Sequence, residues 1–262
     1  MGVAKNMLAN MLAVDGFFSR PGLGNFGFRW LHILAGITWI GLLYYFNFVQ
    51  VPAFAEYGDE GRARNIAIDK VARRALWWFR WSALSTFVTG ILITIIIEDY
   101  YGNDFGKTAG PIAISTGMLL GTIMLLNVWG VIWRNQKIVL ANAANLIAGG
   151  EANPDAAAAG RKALMASRQN TIFSVSMLFF MVFRSHHPLS GEVLGGSKVG
   201  TYWVIALILI AVLEINALGL MPWKTAPKKG LNIIYETVQN AIIASFVLWA
   251  IFLVLTEIFF RA

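Results

Sequence analysis

Phe28–Val51 reads FRWLHILAGITWIGLLYYFNFVQV, and its one charged residue, Arg29, stands second in the run. At 1.5 Å per residue such a stretch extends about 36 Å as a helix, enough to cross a hydrocarbon layer of about 30 Å. Only a helix or a closed barrel satisfies its own backbone groups in lipid, and a run this long without alternation is helical. The rest of the chain repeats the pattern. Of 262 residues, 57% are hydrophobic and 13% charged, against roughly 25% charged in soluble domains.

Further spans are expected at about Ala75–Ile97, Pro111–Trp133, Tyr202–Met221 and Val238–Phe260, with Pro52 closing the first and Pro222 the fifth. A weaker fourth span has its apolar core at Ile172–Phe183, about 18 Å long, and is expected to begin in the headgroup layer with Arg168, Gln169 and Asn170 snorkelling. The fold class is therefore all-α: a polytopic transmembrane bundle of about six spans. Residues 28–262 form one transmembrane domain, extended by a cytoplasmic helical hairpin at about 134–169 with Gly149-Gly150 and Asn153-Pro154 as breakers. In residues 1–27, Val3, Met7, Leu8, Met11 and Leu12 oppose Lys5, Asn6 and Asn10, the pattern of a short helix lying on the outer surface.

Charge sets the sides. Loops one, three and five hold 13 of the 21 Lys and Arg residues, while the alternate side holds 7 and an acidic loop with Glu98, Asp99 and Asp104. The positive-inside rule then places both termini on the periplasmic side of a bacterial inner membrane. The net charge of +7 follows from this topology, and no nucleic-acid partner is implied. Cysteine is absent, which excludes disulfides, Cys-ligated clusters and covalent c-type haem. Motifs of soluble enzymes are missing too: no Walker loop, GxSxG or HExxH occurs.

The three histidines are His32, His186 and His187. His32 lies one turn inside the first span and the pair lies just past the fourth, so the topology brings all three to one membrane face. Facing imidazoles are how a helical bundle holds b-type haem, with His32 and His186 as the axial pair. The plainer alternative makes His32 a packed, hydrogen-bonded residue and His186-His187-Pro188 a helix cap. Copper and zinc remain open alongside haem. Glu214 is the costliest intramembrane group; it is expected either to relay protons or to bond a neighbouring Asn.

Four stretches carry a resemblance. They are Arg29-Trp30-Leu31-His32 with Gly36-Ile37-Thr38-Trp39-Ile40-Gly41; Phe79-Arg80-Trp81 with Thr89-Gly90; Asn127-Val128-Trp129-Gly130-Val131-Ile132-Trp133 with Asn135-Gln136-Lys137; and Ala166-Ser167-Arg168, Asn170-Thr171, Met177–Met181 and Ser185-His186. The chain in these stretches resembles the membrane-embedded N-terminal domain of the bacterial membrane-bound urate oxidase (urate hydroxylase) family. That resemblance implies a membrane oxidoreductase passing electrons from urate to a cytochrome c domain. With no cysteine before Ala262, the acceptor expected here is a separate periplasmic or membrane cytochrome. The resemblance also makes Arg134 and Gln136 candidate contacts to an anionic purine, against the alternative that they anchor the inner interface. Two function classes stand: a haem b-bearing electron-transfer protein related to urate oxidation, and a non-catalytic integral subunit of a larger membrane complex.

Overall fold

The computed structural model describes residues 18–19, 22–96, 106–186 and 193–261; the expected surface helix falls mostly outside them, and so does His187. The protein is all-helical among the described residues, 84% of which are in helix. Six long helices organise it: α1 (Phe26–Glu56), α2 (Gly61–Ile95), α3 (Ala109–Ile147), α4 (Ala156–His186), α5 (Gly196–Ala217) and α6 (Val238–Phe259). All but α4 are long and apolar enough to cross a membrane, which makes this a multi-pass membrane protein. Their outer faces carry exposed Ile33, Leu34 and Ile37 on α1, and Ile243, Val247 and Ile258 on α6, as lipid contact requires.

Three expectations need correction. Pro52 does not close the first span: α1 continues through it to Glu56 after a π-helical turn at Tyr45–Gln50. The wider turn rearranges the ladder just before Pro52, which has no N–H to contribute, and the helix continues instead of ending. Pro222 likewise is not the stop signal for α5, which finishes at Ala217, with Gly219 at φ +71° just beyond in the left-handed conformation that terminates helices.

The third correction concerns α4. Arg168, Gln169 and Asn170 do not snorkel into lipid headgroups; they are packed inside the protein, with exposures of 4%, 0% and 0%. Helix α4 is the axis of the bundle, packed against α1, α3, α5 and α6. A polar side chain on such a helix faces protein partners rather than lipid, so it needs no low-polarity run to be stable there. Asn127 Nδ2 donates to Asn170 Oδ1 at 3.0 Å, Asn170 Nδ2 to the Met124 carbonyl at 2.9 Å, and Asn47 Nδ2 to Ser167 Oγ at 2.8 Å. The GxxxG pair Gly117 and Gly121 is used inside the chain: a Cβ at Gly117 would meet Phe180 Cβ at 3.1 Å, and one at Gly121 would meet Met177 at 3.9 Å. The small residues let α3 lie close to α4.

Candidate functional site

His32 is held by α2. Its Nδ1 lies 2.8 Å from the Thr86 carbonyl and 3.3 Å from Thr89 Oγ1. A carbonyl can only accept, so Nδ1 carries the proton and Nε2 is left with its lone pair. Gly90 makes this possible, because a Cβ there would stand 3.2 Å from His32 Cε1. A ring nitrogen tied to a backbone carbonyl, with the other left basic, is the arrangement that orients a ligating histidine.

His32 lines a small cavity of about 80 Å³ between α1, α2, α3 and α4. That is below the roughly 300–1,000 Å³ usual for ligand pockets. The wall is almost wholly apolar: Phe87, Ile91, Gly121 and the thioethers of Met118, Met177 and Met181. Trp39 also lines it, 3% exposed, and its indole Nε1 donates to nothing in the structure. An orphaned buried donor beside a basic imidazole fits a bound group that brings an acceptor of its own.

The donor set can be tested against the cofactors expected from sequence. Among the described residues no three His, Asp or Glu side chains cluster, so a hard divalent cation has no ready ligand set there. An imidazole with thioethers suits haem iron or a soft copper ion. His32 is the residue that would hold haem iron here, and the cavity walls would have to part to admit the macrocycle.

The structure does not bring His32 and His186 to one cavity. Met177 and Met181 turn toward His32, whereas His186, nine residues beyond Met177, lies about two and a half turns on and faces the opposite side of α4. It is exposed and lines a shallow groove with Val182, Phe246 and Trp249 between α4 and α6. Arg134 is exposed and Gln136 half-buried; neither lines the cavity or the groove. Glu214 Oε2 accepts from Asn127 Nδ2 at 3.1 Å, the neighbouring-Asn arrangement. Sequence reading missed the methionines. Met177 and Met181 stand at i, i+4 on one helical face, but that spacing is equally that of a lipid-facing stripe.

The stretches that carried the resemblance also meet in space. His32 packs on Thr89-Gly90, the Arg80 guanidinium lies 3.3 Å from the Trp133 ring centroid and 5.4 Å from that of Trp129, and Asn127 bonds Asn170. A family model described as urate oxidase N-terminal matches residues 102–251, more than half of the chain. The match runs through α3, α4 and α5 into α6 and includes Met118, Met177 and Met181; His32 precedes it. No curated protein and no solved structure matches the chain.

Proposed function

This chain belongs to the urate oxidase N-terminal family, and from that premise we propose that it is an integral redox protein of the bacterial inner membrane that takes part in urate oxidation. The observation that carries the reading is His32: its Nδ1 is committed to Thr86, its Nε2 is basic, and it lines an apolar cavity with an orphaned indole donor. Haem b is the group this set suits, and when bound it supplies a one-electron couple.

The chain's own residues do the rest. Thr86 fixes the tautomer of His32 and Gly90 leaves room for its ring. Met118, Met177 and Met181 offer soft donors on the facing walls, and Trp39 Nε1 offers a hydrogen bond to an acceptor carried by the bound group. Phe87 and Ile91 keep water from that face. In this reading α4 is the fourth of six spans, both termini lie on the periplasmic side, and electrons leave through a separate cytochrome. The test is to add urate anaerobically to the purified protein and follow its visible spectrum. Reduction of a bound chromophore is expected, and a chromophore that urate leaves oxidised overturns the assignment to urate oxidation.

A further inference from the structure

Helix α4 lines two openings with opposite faces. Met177 and Met181 border the His32 cavity, while Leu178, Phe179 and Val182 turn toward α6 and line a groove of about 550 Å³. That volume is within the roughly 300–1,000 Å³ usual for ligand pockets. Its walls are largely aromatic: Phe179 and Phe246 each meet Trp249 edge to face, with ring centroids 6.0 and 6.3 Å away. Leu178, Val182 and Phe246 are exposed, so the groove opens sideways into lipid.

Two N–H donors interrupt these apolar walls. Trp249 stands midway along α6, between Val238 and Phe259, about 15 Å from either end and away from the interfaces where tryptophan rings reach water or headgroups. Its indole finds no acceptor among the described residues, and an unmet donor at that depth in hydrocarbon is costly. His186 ends α4, is exposed, and likewise has no hydrogen-bond partner among the described residues. An acyl chain fills such a groove but offers neither group an acceptor. No Asp, Glu, Lys or Arg lines it, so the occupant that suits it is uncharged.

From this arrangement we propose that the groove between α4 and α6 binds an isoprenoid quinone. Such a molecule is neutral, has a flat ring that packs on aromatic side chains, carries two carbonyl oxygens that accept from Trp249 and His186, and trails an apolar tail into the bilayer. The quinone takes up two electrons and two protons and leaves as the quinol, with no bond formed to the protein. The electrons come singly from the redox group proposed at His32, across the one helix, about 10–12 Å in diameter, that separates the two openings. The protons enter at the exposed His186 end of α4. The quinol then carries the electrons through the lipid toward the separate cytochrome.

The role of the site rests on the redox reading, but binding is tested without electron transfer. The full chain in phosphatidylcholine nanodiscs is photolabelled with a radioactive azido-benzoquinone bearing a short isoprenoid tail, and labelled peptides are identified by mass spectrometry. Saturable label is expected on residues 175–186 and 246–249, displaced by excess unlabelled quinone but not by farnesol, which has the tail without the ring. Trp249→Phe keeps an aromatic ring and removes its N–H, and should weaken binding about threefold to tenfold. His186→Leu removes the other donor from an exposed position and should do the same, which covers the case where the phenylalanine variant fails to fold. Absence of saturable label, equal displacement by farnesol, or wild-type affinity in every folded variant overturns the proposal. A chain that binds quinone saturably but carries no chromophore defeats the redox reading and leaves this site standing; a chain with a urate-reducible chromophore and no saturable quinone binding does the reverse.

Discussion

Replacing Gly90 by Ala probes the His32 support directly. The added Cβ would sit 3.2 Å from His32 Cε1 and 3.5 Å from Nδ1, so the ring must move by a few tenths of an ångström. The Nδ1 bond to Thr86, now 2.8 Å, takes up that movement. Overpacking costs about 1–3 kcal/mol and the weakened hydrogen bond up to about 1 kcal/mol. Against this stands the better helix propensity of alanine, about 1 kcal/mol. The net expectation is a loss of up to about 3 kcal/mol, centred near 1–2. Gly41→Ala on α1 is the matched control, because its Cβ meets nothing within 4 Å, and it should be neutral or stabilising by up to about 1 kcal/mol. Thermal melts of the two variants in the same detergent read the difference. A Gly90→Ala protein that melts at or above wild type refutes the claim that α2 clamps the His32 ring.

Three other outcomes follow from the geometry. For Glu236, burial alone would raise the carboxyl, but hydrogen bonds from Arg161 and the Lys228 N–H outweigh it and hold it below its ordinary 4.5. The stability it contributes is therefore full above about pH 4.5 and is lost as pH falls through the lower folded value; Glu236→Gln should flatten the acid side of a melting profile, and an unchanged profile contradicts this. Arg80→Ala removes the stack on Trp133 and Trp129 and should cost about 1–2 kcal/mol in a detergent melt, whereas an unaltered melt would make the stack incidental. In this cysteine-free chain, single cysteines at Asp59 and Ala152 should be shielded from impermeant thiol reagents in intact cells while one at Gly195 labels; the reverse pattern inverts the topology.

The apolar helices were legible because lipid is a uniform solvent: Phe28–Val51 and Val238–Phe260 announce themselves by composition, and the last of these differs from α6 by one residue. Helix α4 was misread for the same reason. A run containing Arg168, Gln169 and Asn170 looks like a boundary when the surroundings are assumed to be lipid and headgroups, but α4 is solvated by other helices. His32 stood out as a lone intramembrane imidazole. Its cavity did not, because nothing in the order of residues says that Met118 on α3 and Met177 on α4 face the same side as a histidine far earlier in the chain.

The central claim, that His32 holds a redox cofactor, is met most directly by the visible spectrum and haem content of the purified protein, wild type beside His32→Ala. The account predicts a Soret band with about one haem per chain in the wild type, lost in His32→Ala and kept in His186→Ala, whose side chain lines a different groove. A wild-type protein purified with fresh membranes but without haem, or a spectrum indifferent to His32→Ala, contradicts it.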